Sequence, residues 1–236
     1  MDTKLTGKTR IESDLIGARE IPAEALYGVQ TLRGIENFSI SKFRLSEYPL
    51  FIKGLAITKM AAGMGNFELG LLTVEQKDAI IAACGEIIDG KHHDQFPVDM
   101  IQGGAGTTTN MNANEVIANR ALELMGHERG EYQYCSPNDH VNCSQSTNDV
   151  IPTAGRLTVI GLAEELFRNT QALTDALDGK ARQFNDVIKM GRTQLEDAVP
   201  IRLGQEFAAY SSGIKRCVTL LRKAVDEMHA VNLGGT

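Results

Sequence analysis

Apolar residues recur at three- and four-residue spacing over long stretches of the chain, the period that puts them on one face of a helix. The pattern holds from Ala23 to about Phe38, from Glu47 to about Leu69 and from Val74 to about Ile88. Thr73, with Gln76 three residues on, reads as the N-cap and N3 of a capping box. Pro22 reads as a first helical residue, where its missing N–H is no loss. Residues 1–21 mix β-branched, charged and turn residues, which predicts a short hairpin or an extended arm.

The second half carries a longer pattern. Leu162, Leu166, Leu173 and Leu177 line one face of a helix expected from about Thr153 to Phe184. Phe207, Ile214, Cys217, Leu221, Val225 and Met228 mark another from about Leu203 to Val231. Helices of about 30 residues span about 45 Å each. The intervening Val187 to Pro200, with Gly191, Asp197 and Pro200, reads as a turn or short hairpin. Two helices shield only part of each other's stripes, so further helices or further copies of the chain are expected to complete a bundle. The chain stops just after the second helix, where Gly234-Gly235 reads as a C-cap, and it looks like the front part of something larger or an obligate oligomer. The fold class is mainly α, with a short β hairpin near the N-terminus and two long helices in the second half.

Composition narrows the functions. Of 236 residues 42% are hydrophobic, enough for a core, and Lys+Arg 24 against Asp+Glu 30 gives a net charge of −6. No Lys/Arg run supplies the positive patch that nucleic acid or an anionic membrane requires. Small molecules or proteins remain as partners. The N-terminus lacks the apolar core of a secretory signal, no apolar run reaches transmembrane length, and no Cys-x-x-Cys pair occurs. A cytoplasmic protein with free thiols is expected. His92-His93-Asp94 is the densest cluster of metal-ligand types, but among Gly, Lys and Asp it reads as a solvated loop, and no metal site is assigned.

Three segments rich in small hydroxyl and amide residues lie close to the helical patterns. Gly103-Gly104-Ala105-Gly106-Thr107-Thr108-Thr109 precedes a helix expected from about Ala113 to Met125, where free N–H groups attract carboxylate or phosphate. It lacks the Lys of a P-loop, and a Rossmann third Gly would fall on Thr109. Read structurally, it is a Gly-rich connection with Asn112 and Glu115 as a capping box. Ser136-Pro137-Asn138-Asp139-His140 runs on to Ser146-Thr147-Asn148-Asp149 before the long helix. These residues cap helices and form Asx turns, yet together they can also bind a carboxylate without Arg. His140 reads either as a proton carrier or as a hydrogen-bonded structural residue. The third, Lys189 to Pro200, reads either as a charged solvated hairpin or as donors (Arg192, Thr193, Gln194) with Glu196 and Asp197 holding Arg192.

Taken together, these segments resemble the fumarase/aspartase superfamily. The likeness begins at Asp14-Leu15-Ile16-Gly17-Ala18-Arg19-Glu20 and Tyr27-Gly28-Val29-Gln30-Thr31 and runs through all three segments to Asn232-Leu233-Gly234-Gly235-Thr236. Fumarases usually carry Thr-His at Thr193-Gln194 and Ser-Ser-Asn-Asp at Ser146-Thr147-Asn148-Asp149, so both motifs favour the ammonia-lyase branch. The resemblance implies reversible elimination of ammonia from L-aspartate to fumarate, without an organic cofactor. Divalent-metal activation, which occurs in some relatives, stays open. By position, Thr107, Ser146 and Thr147 would donate to the β-carboxylate, Thr193 would meet the α-carboxylate, and Asn148 and Gln194 would contact the amino group. The family's general base, a Ser on a mobile loop, and its substrate-binding Lys and Asn are expected beyond Thr236, so the chain alone is expected to be inactive. The resemblance further implies a homotetramer with sites shared between subunits, with an N-terminal helical domain over 1–143 and, within 144–236, the first two long helices of a central bundle. The alternatives are a fumarate hydratase and a non-catalytic helical oligomerisation module.

Overall fold

The computed structural model describes residues 7–234 of the chain. Strand β1 (Thr9–Asp14) pairs antiparallel with β2 (Gly17–Pro22), Thr9 opposite Pro22 and Asp14 opposite Gly17. The expected hairpin is therefore present from Thr9, while residues 1–6 of the expected arm lie outside the described residues. Pro22 closes β2 and does not open a helix; α1 (Val29–Asn37) starts later. The reason is Arg10. Its guanidinium donates to the carbonyls of Pro22 (3.0 Å), Ala25 (2.7 Å) and Tyr27 (2.8 Å), which turns them toward one point and not along a common helix axis; the Pro22 carbonyl also accepts from Ala25 N (3.0 Å), a single turn that does not propagate.

Helices α2 (Pro49–Glu68) and α3 (Val74–Ile88) stand where the apolar period puts them. Thr73 Oγ1 accepts from Gln76 N at 3.2 Å, and Gln76 Oε1 accepts from Thr73 N at 3.0 Å, the expected capping box. Thr73→Ala should cost about 1 kcal/mol of stability. A urea midpoint equal to the parent's would show that water replaces the cap without loss.

Helix α4 (Thr107–Leu124) begins well before the expected Ala113, which corrects the capping-box reading of Asn112 and Glu115. Both are buried in the helix interior. Asn112 donates to Gln95 O at 3.0 Å, and Glu115 accepts from the backbone N–H of Gly28 (2.9 Å), Gln30 (2.8 Å) and Thr31 (3.0 Å) at the start of α1. Ile52 and Leu55 of α2, Ile80 and Ile87 of α3, and Val116, Ile117 and Leu122 of α4 form the core. Each is worth about 1.5–3 kcal/mol on burial.

Helix α5 (Thr147–Gln183) also starts before the expected Thr153, with Pro152 inside it. Pro152 has no N–H for the carbonyl four residues back, and that carbonyl, on Asn148, instead accepts from Asn232 Nδ2 at 3.3 Å. The described residues divide into two compact units. One runs to Thr158 and takes in the segment from Val231 onward; the other is Val159–Ala230.

The second unit holds the rest of α5, the hairpin β3 (Ile188–Thr193) and β4 (Glu196–Arg202), and α6 (Leu203–Glu227). The hairpin falls where Gly191 and Pro200 predicted it. Helix α6 ends with Met228 as its cap, not with a Gly pair, and Gly235 lies outside the described residues. Within this unit Ala163, Phe167, Thr174 and Ser211 are buried, and Arg222 stacks 4.1 Å from the Phe167 ring centroid. Leu162, Leu166 and Leu173 of the expected stripe remain exposed, as two helices without further partners require. Among the described residues no helix is long and apolar enough to cross a membrane.

Candidate active site

The Gly-rich segment ends in an unusual helix start. Gly106, the N-cap of α4, has φ +91° and no side-chain cap, and a Cβ there would come within 3.1 Å of Ile151 Cγ1. Only glycine takes this conformation without strain, so the chain enters the helix close against α5. Gln102 fixes the base of the loop: it accepts from Thr109 N and donates to Thr109 Oγ1, both at 2.8 Å. Thr107, the first residue of α4, is exposed at this end of the helix.

In the second segment Pro137–Val141 forms a single π-helical turn, capped by Ser136, whose Oγ accepts from Asn138 N (3.2 Å) and Asp139 N (3.1 Å). His140 is held through its acceptor nitrogen: Nδ1 accepts from Ser136 N at 2.7 Å, and Nε2 lies 3.2 Å from Gln76 Nε2. That is the structural of its two readings. Ser146 caps α5, its Oγ accepting from Asn148 N at 3.2 Å while Asp149 Oδ1 accepts from Ser146 N at 3.0 Å. Asp149 is buried, and its second oxygen accepts from Gly234 N at 3.0 Å. Ser146 and Thr147 are half-buried and Asn148 is exposed, so two hydroxyls and an amide stand together where the α5 dipole favours an anion.

Beneath them lies a network that the sequence reading missed. Lys59 of α2, fully buried, donates from Nζ to Asn142 Oδ1 (2.8 Å) and Gln145 Oε1 (2.9 Å). Asn110 Nδ2 donates to the same Asn142 oxygen at 3.1 Å and approaches Thr147 Oγ1 at 3.4 Å. Burial lowers the Lys59 ammonium to about 7, against the opposing pull of Cys84 and Asp149. A signal was present. Lys59 falls on the buried face of α2 with Ile52, Leu55, Ala56, Gly63 and Asn66, and a cation there needs a polar partner.

The third segment is the β3–β4 turn. Gln194 (φ 52°) and Leu195 (φ 65°) are both left-handed, the backbone of a two-residue hairpin loop, and Thr193 pairs with Glu196 across it. Thr193 and Gln194 are exposed. Asp197 reaches Arg192 at 3.4 Å, but both are about two-thirds exposed, and such a pair holds a side chain weakly. Thr107, Ser146, Thr147 and Asn148 thus belong to the first compact unit, Thr193 and Gln194 to the second. The His92-His93-Asp94 cluster is engaged otherwise: His92 Nε2 lies 2.9 Å from Glu86 Oε2 and His93 Nε2 2.8 Å from Ile87 O.

The family described as Lyase matches residues 17–236. Aspartate ammonia-lyase of Helicobacter pylori is 55% identical over 227 residues, which cover 96% of this chain and 48% of that protein. The Escherichia coli K12 enzyme of the same name is 52% identical over 233 residues, 98% and 49% of the two. Among solved structures, a cobalt-bound "fumarate lyase:delta crystallin" from Brucella melitensis superposes with TM-score 0.95 at 50% identity, covering 97% of this chain and 50% of that one. Class II fumarase from Schistosoma mansoni gives 0.92 at 36% identity, covering 97% and 48%. The chain spans about half the length of the curated relatives it matches.

Proposed function

The chain belongs to the lyase family of the fumarase/aspartase superfamily, and from that premise we propose that it supplies the substrate-donor segments of an aspartate ammonia-lyase. The reaction removes a proton from Cβ of L-aspartate, forms the carbon–carbon double bond of fumarate and releases ammonia from Cα with the electrons of the C–N bond. The Cβ proton is weakly acidic, so the difficult species is the carbanion, held as the aci-form of the β-carboxylate. Donors oriented before the reaction stabilise it.

The observation that carries this reading is the cluster of Ser146, Thr147 and Asn148 on the first turn of α5. Ser146 and Thr147, with Thr107 from the start of α4, are the donors to the β-carboxylate. Thr193 takes the α-carboxylate, and Asn148 and Gln194 contact the amino group. Protonated hydroxyls and amides do not remove a carbon-bound proton, and the acceptor nitrogen of His140, Nδ1, is taken by Ser136 N. The base is the serine that the family resemblance implies, acting in its deprotonated form from a segment outside these residues, and the working site is assembled between subunits of a homotetramer. The exposed Leu162, Leu166 and Leu173 support such assembly. The chemistry calls for no organic cofactor, and the expected setting is cytoplasmic.

The likeness to a fumarase at TM-score 0.92 makes hydration of fumarate the second reading. The complete protein that carries this chain should release ammonia from L-aspartate and form no fumarate from L-malate; the reverse result would make it a fumarase. Thr147→Val should lower kcat/KM for aspartate about 5- to 150-fold, with kcat falling more than KM rises. A rise in KM alone would reduce Thr147 to a binding residue.

A further inference from the structure

The network beneath Thr147 has a direction. A lysine ammonium donates and never accepts, so Asn142 must turn Oδ1, and Gln145 its Oε1, toward Lys59 Nζ. The Asn142 Nδ2 group is thereby sent the other way, to Gln145 O at 3.1 Å. Because Asn142 presents an oxygen, Asn110 must meet it with Nδ2, at 3.1 Å. The same Nδ2 then faces Thr147 Oγ1 at 3.4 Å. Asn110 Oδ1 is left buried without a hydrogen-bond partner, a state that buried amides avoid. Turning the amide over would give Oδ1 the Thr147 hydroxyl but would set oxygen against oxygen at Asn142. The orientation of Asn110 is imposed from Lys59, not chosen for its own bonds.

We propose that Lys59 is a positioning residue for the substrate site: through Asn142 and Asn110 it obliges Thr147 Oγ1 to accept from within the protein, which leaves the hydroxyl proton to donate outward. A hydroxyl has one proton. If Asn110 presented its oxygen, Thr147 would donate inward and the substrate carboxylate would lose that donor. An accepted bond also polarises the O–H and strengthens its outward donation. The inference rests on Thr147 as a donor to substrate, the reading given under the proposed function.

A double-mutant cycle in the complete protein tests it. Lys59→Met and Thr147→Val should each lower kcat/KM for aspartate about 5- to 150-fold, whereas the double variant should match Thr147→Val within about twofold. Multiplying losses would mean that Lys59 acts independently of Thr147, and the relay would be wrong. Asn110→Asp, which cannot donate at that position, should reproduce the Thr147→Val loss; full activity in that variant would also overturn the proposal. Should Lys59→Met fail to fold, nuclear Overhauser contacts in the unaltered protein decide the matter. The Asn110 side-chain NH2 protons should lie beside the Thr147 side chain, and contacts placing them on the opposite side would refute the imposed orientation. That measurement needs no turnover, so loss of the lyase reading and loss of the relay are separately visible.

Discussion

Replacing Gly28 with alanine is expected to abolish the cooperative unfolding transition of the unit that runs to Thr158. A Cβ at Gly28 would stand 2.6 Å from Glu12 Oε2, 2.6 Å from the Tyr132 hydroxyl and 2.8 Å from Glu115 Cδ. The backbone at Gly28 is extended (φ −116°), which alanine accepts, so the obstacle is space alone. None of the three neighbours is free to move. Glu12 Oε2 accepts from Val29 N (3.1 Å) and from the Tyr132 hydroxyl (2.9 Å), and the Tyr132 oxygen accepts from Asn119 Nδ2 (3.0 Å). Glu115 holds three backbone N–H groups, while burial pushes its carboxyl upward against them. Moving either carboxylate gives up hydrogen bonds worth about 1–3 kcal/mol each and adds about 1–3 kcal/mol of overpacking. Domains of this size have about 5–15 kcal/mol in total. Gly85→Ala in α3, whose Cβ meets nothing within 4 Å, is the control and should stabilise by about 0.5–1 kcal/mol. Thermal melts followed by circular dichroism compare the two. A Gly28→Ala protein melting within a few degrees of the parent would mean that the carboxylates reorganise freely.

The same carboxylates show where sequence stops being informative. The capping box at Thr73 and Gln76 involves residues three apart, so their spacing discloses it and the structure repeats it. Glu115 looked like a cap because Asn112 precedes it by three, yet its partners are at Gly28, Gln30 and Thr31, more than eighty residues away. Arg10 suppresses a helix at Pro22 in the same way, by bonds that no local window contains. The candidate site divides along this line. Its donors, Thr107, Ser146, Thr147, Asn148, Thr193 and Gln194, were legible because hydroxyls and amides cluster within short segments. Their support was not, because Lys59 reaches Asn142 and Gln145 from a helix that the apolar pattern had already explained.

Lys59 should also set how stability changes with pH. Its ammonium has an ordinary value of 10.5 and is lowered by burial to about 7, with Cys84 of α3 and Asp149 of α5 as the charged or titratable groups facing it. Below pH 7 both folded and unfolded chains hold the proton, and the burial penalty is fully present. Above 7 the folded chain releases it while the unfolded chain keeps it, so stability rises with pH. At 1.36 kcal/mol per pH unit, the gain from pH 7 to 9 is about 3 kcal/mol. Beyond 9 the sign reverses. Burial raises the thiols of Cys84 and Cys135 from 9.0 to about 12, so the unfolded chain loses two protons that the folded chain retains, which outweighs the single proton of Lys59. Stability should therefore peak near pH 9. Lys59→Met should flatten the rise between 7 and 9 and leave the fall above 9 in place, whatever its effect at any single pH. The neutral amine keeps two N–H donors, one each for Asn142 and Gln145, but gains a lone pair, so the orientation of Asn142 and Thr147 is obligatory only while Lys59 holds its proton. Urea denaturation at intervals from pH 6 to 10 reads the curve. A parent protein whose stability is level between 7 and 9, or a Lys59→Met variant that keeps the parent's slope there, would show that Lys59 carries its proton through this range and that its burial is relieved by other means.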